Sequence, residues 1–376
     1  MKNFKTYKHF FMALTILSLP FGVGGAYAFQ IDEGAFGKLN IDGAVSGYYL
    51  YSNNVPPAPT GSSTPGDKKN RYDISNALVN ISKPDGVVRF TIVAGAYAFP
   101  TVGETTAKTT QSGYNTDLFS ALPIAYLEFD PNSSVSIKVG KLPTMIGYES
   151  AFTYQNIDIQ RSILWSMQPV VSRGIRFTYT KGIFTGNLEL NDGFYSEKKP
   201  ALEGSFSLAP NQNASISFNF IYPDKKTKPN PTSTPANKQE YELTGSYTIS
   251  KFTFAFDSMY VHVPTSKEGE TTSNHAFGIA GYATYNINDA WSLNARAEYD
   301  EEGTSGTDIM GFGQGAHAYS ITITPEYKYK QFFIRPEVSY VHITNVASAY
   351  YYTSPTASAP TKNTQIRLGL EAGFVF

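Results

Sequence analysis

The sequence predicts an all-β protein: a transmembrane, antiparallel, up-and-down β-barrel of about 16 strands, a size that leaves an aqueous channel. Apolar and polar residues alternate in runs of roughly ten residues through most of the chain, as in a strand with one apolar face. Short turns and long polar loops alternate between these runs. No segment after Ala28 approaches the roughly 20 unbroken apolar residues of a spanning helix. A closed barrel is the other structure that satisfies its backbone hydrogen bonds in lipid.

The amino terminus predicts export. Three lysines among the first eight residues precede an apolar run from Phe10 to Val23, and small residues follow up to Ala28. The run is too short to span about 30 Å of hydrocarbon. We therefore expect a signal peptide over residues 1–28, cleaved after Ala28, and a single barrel domain over residues 29–376.

Composition narrows the chemistry. The chain has no cysteine, so disulfides and thiolate catalysis are excluded. The 27 Tyr and 26 Phe, beside only 2 Trp, fit the aromatic girdles of a barrel at the two membrane interfaces. The whole sequence carries a net charge of −1, and loss of the lysine-bearing leader makes it more acidic. We therefore expect no nucleic-acid partner.

After a short leader from Phe29 to Phe36, alternation predicts each strand in turn. Turn-forming residues such as Pro84-Asp85-Gly86 join the close pairs, and long Pro-, Ser- and Gly-rich stretches join the others. The predicted strands are Leu39–Tyr51, Arg71–Lys83, Val87–Phe99, Ala121–Phe129, Val135–Leu142, Arg173–Thr180, Ile183–Asp192, Ala201–Leu208, Ala214–Tyr222, Gln239–Ile249, Phe252–Val263, Ala276–Asn286, Ala290–Tyr299, His317–Tyr329, Phe332–Val341 and Thr364–Phe376.

Charges fall on one parity of these strands. The apolar parity carries no charge in mid-strand, as expected where a Lys or Arg at the bilayer centre costs roughly 2 to 4 kcal/mol. That parity includes Val88, Phe90, Ile92, Val135, Ile137, Val139, Ile175, Phe177, Tyr179, Phe252, Phe254, Phe256, Trp291, Leu293 and Ala295. The other parity carries Arg89, Lys138, Arg176, Glu189, Glu203, Glu240, Glu242, Asp257, Arg296, Glu298, Glu326, Lys328, Arg335, Glu337, Arg367 and Glu371. So many charges predict an enclosed aqueous lumen.

The same alternation fits a soluble β-sandwich with its apolar face inward. The predicted signal peptide, the rhythm of short and long connections and the strand number favour the barrel. Pro325 and Pro336 fall inside predicted strands, where each removes a ladder donor. We expect bulges there or a misplaced strand boundary.

The last strand supports the location. Its residues alternate from Thr364 to a terminal Phe376. This ending resembles the closing strand of bacterial outer-membrane barrels. The resemblance implies contact with outer-membrane lipids and recognition of the Phe376 strand by the barrel-insertion machinery. Short turns and both termini are then expected on the periplasmic side, with long loops outside.

One segment carries a family resemblance. It reads Gly-Lys-Leu-Pro-Thr-Met-Ile-Gly-Tyr-Glu from Gly140 to Glu149, followed by Arg161-Ser162 and by Arg173-Gly174-Ile175-Arg176. This pattern resembles the OmpL-like β-barrel porin family of bacterial outer membranes. Membership implies an outer-membrane barrel that forms a water-filled channel for passive diffusion of small hydrophilic solutes or ions, with no known substrate. By analogy with sixteen-stranded porins, a homotrimer is one expected assembly.

The third long connection, Gly147 to Ser172, is the expected constriction, because in general porins the third loop folds into the lumen. Opposed charges there would set a transverse field that sorts solutes by charge. The alternative is that these charges only anchor the loop by salt bridges. The pore-lining or constriction candidates are Arg89, Lys138, Glu149, Asp158, Arg161, Arg176, Arg296, Arg335 and Arg367. Inward acids slightly outnumber inward bases, which predicts weak cation preference or little preference.

Two other functions stay open: an outer-membrane barrel enzyme hydrolysing lipid or peptide, and a structural or adhesive barrel acting through its loops. His317 and Ser320 are spaced as H-x-x-S, not as a lipase-like H-x-S, and the histidines are expected at strand ends. The acidic run Asp300-Glu301-Glu302 is expected to be a solvated loop, with a divalent-cation site or an aspartate-type protease role as its alternatives. No catalytic, cofactor-binding or metal-binding residue is predicted.

Overall fold

The computed structural model describes residues 29–32, 34, 37–58, 62–106, 109, 119–197, 199–228, 235–344 and 349–376. Across these ranges, helices long and apolar enough to cross a membrane are absent. The predicted signal peptide lies outside the described residues.

Seventeen strands form one antiparallel sheet, of which β2 to β17 close into a 16-strand barrel. The predicted fold class is therefore confirmed. The strands are β1 (Phe29–Asp32), β2 (Lys38–Ser52), β3 (Asn70–Lys83), β4 (Val88–Tyr97), β5 (Ile124–Asn132), β6 (Val135–Pro143), β7 (Val171–Lys181), β8 (Phe184–Asn191), β9 (Ala201–Asn211), β10 (Ala214–Pro223), β11 (Gln239–Ile249), β12 (Phe252–Val263), β13 (Asn274–Asn286), β14 (Trp291–Glu302), β15 (His317–Tyr329), β16 (Phe332–Thr344) and β17 (Thr364–Val375).

The barrel closes through its last strand. β17 pairs antiparallel with β2, from Arg367 opposite Ser52 to Val375 opposite Ala44. Beyond it, the Phe376 amide donates to the Gly43 carbonyl at 3.0 Å, and the Gly43 amide donates back at 2.8 Å. The terminal residue thus completes the seam. The short β1 pairs with the start of β2.

Outward and inward faces follow the predicted parity. Val88, Ile175 and Phe254 on the outward face are 56%, 54% and 49% exposed. Charged side chains on the opposite parity are buried, for example Arg296 and Glu371. Because one continuous sheet closes on itself with the apolar side outside, the two-sheet sandwich is excluded.

Pro325 and Pro336 correct an expectation. Both lie inside strands, and the pairing of β15 with β16 keeps one register on either side of them, from Ile323 opposite Val338 to Tyr327 opposite Ile334. That register places the two prolines opposite each other. Neither bulge nor boundary error is needed, because both missing donors fall in the same gap of one ladder.

The acidic run is also corrected. β14 continues through Glu302, which pairs with Ala276, so Asp300, Glu301 and Glu302 are strand residues and not a solvated loop. Asp300 and Glu302 face inward and are buried, while Glu301 is partly exposed. Metal-binding groups of three or more His, Cys, Asp or Glu were not found within the described ranges.

The interior is not uniformly wet. We call the end with the short turns and Phe376 the turn end, and the other the loop end. At the loop end the inward face becomes apolar, and loop residues pack on it as a hydrophobic core. Its strand members include Ile221, Met259, Val261, Val341 and Ile343, and its loop members include Val102, Leu164, Met167, Ile309, Phe312 and Tyr351. The lumen predicted from the inward charges is therefore filled by packed side chains at the loop end, because the loops fold back into the barrel there.

Candidate functional site

The third loop (residues 144–170) lies inside the barrel, and strand carboxylates hold its backbone. Five acids on β9, β11, β12, β14 and β16 accept hydrogen bonds from loop amides, and we call them the anchor acids. The bonds are Met145 N to Glu203 (2.6 Å), Gly147 N to Glu242 (2.7 Å), Tyr148 N to Asp257 (3.0 Å), Ile163 N to Glu298 (2.8 Å) and Ile159 N to Glu337 (2.5 Å). Charge-assisted bonds of this kind satisfy buried amides that no regular secondary structure would pair.

Gly147 shows why the local sequence permits this path. Its φ is +98°, a region that disfavours side chains, and a Cβ there would lie 2.2 Å from the amide atoms of Gln168. A glycine lets the chain turn so that its amide reaches Glu242. The family-like segment thus supplies the entry turn of the third loop.

Arg296 is the central cation of the site. From β14 its Nη1 donates to the Glu149 carboxylate and to the Gln160 carbonyl, each at 2.7 Å, and lies 3.4 Å from the Asp158 carboxylate. Asp158 also accepts a bond from Thr324 at 2.6 Å. Burial raises the pKa of the Asp158 carboxyl above its ordinary value, with the Arg296 charge opposing that rise. One strand cation therefore gathers both loop acids.

Arg335 on β16 binds the third loop through backbone carbonyls. Its Nη1 donates to the Asn156 carbonyl at 2.6 Å and its Nη2 to the Thr153 carbonyl at 2.8 Å. The same Nη2 lies 2.6 Å from Glu371 on β17. These bonds cap a 3₁₀ turn over Thr153–Gln155, and both charged side chains are buried.

Arg367 on β17 ties the third loop to the second loop (residues 98–123). Its Nη1 donates to the Gln160 side chain at 2.6 Å and to the Thr101 carbonyl at 3.0 Å. Its Nη2 donates to the Glu104 carbonyl at 2.9 Å. Arg367 is 4% exposed, so it presents little surface to water.

Arg161 is buried within the loops. Its guanidinium lies 5.2 Å from the ring centre of Phe99 and 4.8 Å from that of Trp165. Its Nε donates to the Ser150 carbonyl at 3.1 Å, and its amide donates to the Pro100 carbonyl at 2.8 Å. Aromatic faces stabilise a desolvated guanidinium, so Arg161 joins the two loops.

Arg176 on β7 occupies the opposite wall. Its Nε donates to Glu189 on β8 at 2.6 Å, and its Nη2 donates to the Pro143 carbonyl at 2.5 Å, immediately before the third loop. Arg176 and Glu189 are almost fully buried. The pair fixes where the loop leaves the wall.

Arg89 and Lys138 lie nearer the turn end and do not join these loop contacts. Arg89 lies 2.7 Å from Glu128 and 2.6 Å from Asp130, and Lys138 lies 3.5 Å from Glu128. The Arg89 and Lys138 side chains are 20% and 15% exposed. These four residues, which we call the wet cluster, keep contact with solvent.

The structure therefore divides the candidates. Glu149, Asp158 and Arg296 come together, whereas Arg89 and Lys138 stay apart from them. The buried pairs fit the anchoring alternative, and the constriction role stays a prediction. The anchor acids were missed as site residues. A signal existed, because single acids stand on the inward parity of several nearby strands, but sequence alone did not link them to loop amides.

The four histidines among the described residues lie on the outside of the barrel. His262 on β12 stands opposite His275 on β13, and His317 and His342 lie near the loop ends of β15 and β16. Ser320 points inward, is buried and donates to Glu298. His317 and Ser320 thus lie on opposite faces of the wall.

A family model described as "Putative beta-barrel porin-2, OmpL-like" matches residues 38–376. The chain belongs to this porin family. The match includes the segment around Gly147 and the closing strand, so the predicted resemblance is confirmed. No curated protein sequence matches this chain.

Solved porins share the architecture of this family member. An anion-selective porin from Comamonas acidovorans superposes with a TM-score of 0.58 at 11% identity, covering 90% of this chain and 99% of that one. A loop-deletion mutant of OmpT, an outer membrane protein of Vibrio cholerae, gives 0.57 at 13% identity, covering 90% and 99%. At such identities the likeness concerns the fold.

Proposed function

We propose that this chain is an outer-membrane porin through which small hydrophilic solutes and ions diffuse passively, with the third loop setting the narrowest level. The main support is the third loop itself, which lies inside a closed barrel and is bonded to strands on both sides. Glu203 and Glu337 hold it on β9 and β16, and Arg176 holds its entry on β7. A loop fixed in this way occupies part of the lumen and narrows it, while the ring of strands around it stays continuous.

The charge balance favours cations weakly. Acids outnumber bases on the inward face of the strands. The acids are Asp42, Asp73, Glu128, Asp130, Glu189, Glu203, Glu240, Glu242, Asp257, Glu298, Asp300, Glu302, Glu326, Glu337 and Glu371. The bases are Arg71, Arg89, Lys138, Arg176, Arg296, Lys328, Arg335 and Arg367. Because many of the acids are paired or bound to amides, the surplus acts weakly on a passing ion.

Passive passage is preferred to catalysis. Hydrolysis at His317 would need a nucleophile on the same face, whereas Ser320 points into the barrel and bonds to Glu298. We expect the purified protein to hydrolyse neither lipid nor peptide, and the His317→Ala variant to behave in the same way.

The packed loop end favours a second candidate, a structural or adhesive barrel. Its hydrophobic core joins strand residues such as Val261 to loop residues such as Phe312. Such a barrel would conduct poorly and act through its outer loop surface.

Conductance of the purified protein in a planar lipid bilayer separates these proposals. A porin gives discrete current steps in KCl, with a reversal potential near zero or slightly on the cation-selective side. Absence of current steps at any voltage would refute the diffusion channel and favour the structural barrel.

Export and assembly belong to the same proposal. We infer that residues 1–28 are removed on export and that the insertion machinery reads the strand ending at Phe376, whose backbone completes the barrel seam. A homotrimer is the proposed assembly. Insertion is tested by gel migration: the unheated protein should migrate faster than the boiled protein, and deletion of Phe376 should abolish that difference. Crosslinking in intact membranes tests the trimer, and a monomer alone would exclude it.

A further inference from the structure

We infer that the turn end of the barrel binds neutral polyhydroxylated solutes, such as sugars and polyols, along an uncharged wall beneath the third loop. This inference rests on the proposed diffusion function and names the class of solute. The wall is formed by six inward-facing hydroxyls on β9 to β12, which we call the hydroxyl wall: Ser207, Ser215, Ser217, Ser246, Thr248 and Thr253.

The hydroxyls are placed in cross-strand pairs. Ser207 and Ser217 lie 2.6 Å apart, Ser215 and Ser246 lie 2.9 Å apart, and Thr248 and Thr253 lie 3.0 Å apart between their oxygens. A hydroxyl offers one donor and two acceptor positions. One bond within each pair leaves a donor and several acceptor positions for water or a solute.

The wall lies directly below the anchor acids. Thr244 follows Glu242 on the inward face of β11 and stands opposite Ser217 of the wall. Thr244 is 1% exposed, and its hydroxyl has no hydrogen-bond partner among the described residues. On β10, the Asn219 amide donates to Glu242 at 2.6 Å, while its carbonyl oxygen has no partner in the same part of the chain.

These two side chains point to a ligand, because buried polar atoms normally find a partner. Thr244 and Asn219 face the interior between the hydroxyl wall and the third loop. A solute hydroxyl that reaches this level would complete their hydrogen bonds. Next to the hydroxyl wall, therefore, lie two polar side chains with atoms that lack hydrogen-bond partners within the described residues.

The absence of charge decides the solute class. Within the described strands, the inward positions of the hydroxyl wall carry no ionisable side chain. A neutral solute exchanges water for wall hydroxyls at small net cost, whereas an ion at the six wall positions loses hydration without meeting an opposite charge. The nearest acids, Glu242 and Asp257, lie at the level of Thr244 and already accept bonds from the third-loop amides of Gly147 and Tyr148. The wet cluster lies on other strands, β4 to β6, and its charges pair with one another and not with the hydroxyl wall.

The test uses maltotriose, a neutral trisaccharide, against single channels of the full-length mature protein in KCl. We expect maltotriose to interrupt the current in a concentration-dependent way. In the variant Ser207→Ala, Ser215→Ala, Ser217→Ala, Ser246→Ala, the half-blocking concentration should rise about fivefold, the effect of one lost hydrogen bond of about 1 kcal/mol. KCl conductance should stay unchanged.

Two controls separate hydroxyl chemistry from a folding defect. Ser258→Ala removes a hydroxyl on the lipid side of β12 and should leave the block unchanged. Ser217→Thr keeps the hydroxyl and should retain block. The heat-dependent gel shift reports folding of every variant.

The outcomes distinguish this inference from the proposed function. Current without maltotriose block, or equal block in the wild type and the four-serine variant, overturns the inference and leaves the porin function standing. Absence of current overturns the porin function. In that case calorimetric titration of the detergent-folded barrel with maltotriose decides the inference, and no saturable binding overturns it.

Discussion

Arg296 and Arg89 are the same residue type on the same inward parity, yet their surroundings differ completely. Arg296 lies under the third loop, is fully buried and binds Glu149 and the Gln160 carbonyl. Arg89 lies nearer the turn end, keeps 20% of its side chain exposed and pairs with strand acids. Coverage by the third loop makes the difference. Buried charges hold a loop, and we expect only the uncovered ones to act on solutes.

The first prediction concerns Arg296, the cation that the third loop covers. Arg296→Met leaves the acids Glu149 and Asp158 buried without their partner, which should lower the free energy of unfolding by about 3–5 kcal/mol. Urea unfolding of the folded barrel in lipid vesicles measures the change.

Lys330→Met is the matched control, because Lys330 is exposed at the turn end. A loss below about 1 kcal/mol in Arg296→Met, as for an exposed pair, would show that this cation does not hold the loop.

The second prediction removes one anchor acid. Glu337→Met keeps the side-chain length but deprives the Ile159 amide and the Gln160 side chain of their acceptor. Loss of a buried acceptor should cost roughly 1–3 kcal/mol of unfolding free energy. Glu337→Gln retains an acceptor oxygen and should lose less. Equal losses in the two variants would mean that the acceptor is unimportant.

The contrast between the two arginines also marks the limit of sequence reasoning. Alternation predicts β11, β12 and β15 to the residue, because strand faces are set by period-two burial. The inward direction of Arg296 and Arg89 follows from the same parity. Their different burial depends on where residues 144–170 settle, which is decided by long-range bonds such as that of Ile159 to Glu337.

The apolar inward face at the loop end was not predicted, for a related reason. Val261 and Ile343 lie on the inward parity, but an apolar residue there gives no sign that loops will cover it. Likewise, the sequence places Pro325 and Pro336 in two different strands but does not show that they lie opposite each other. Only the register of β15 and β16 makes them face each other.

The third prediction concerns the wet cluster. Arg89→Gln should change the free energy of unfolding by no more than about 1 kcal/mol, because the pair is partly exposed. It should shift the reversal potential in a KCl gradient toward cation selectivity, since it removes a positive charge that contacts solvent. An unchanged reversal potential would place Arg89 away from the ion path.

The fourth prediction concerns the pH dependence that Glu104 in the second loop confers. Burial raises the pKa of Glu104 from 4.5 to about 7, with its bond to Ser166 opposing the rise. A raised pKa means that the folded state prefers the protonated acid. Loop packing is therefore fully stabilised below about pH 4.5 and loses that contribution as pH rises through 7. Unfolding midpoints across this range should fall in the wild type and fall less in Glu104→Gln. Parallel curves would exclude Glu104 as the group.

Single-channel conductance of the wild type beside Glu337→Met and Glu337→Gln tests most directly whether the strands hold the third loop as the constriction. We predict steady steps in the wild type, larger and fluctuating steps in Glu337→Met, and near-wild-type steps in Glu337→Gln. Identical step sizes in all three, or no steps in the wild type, would contradict it.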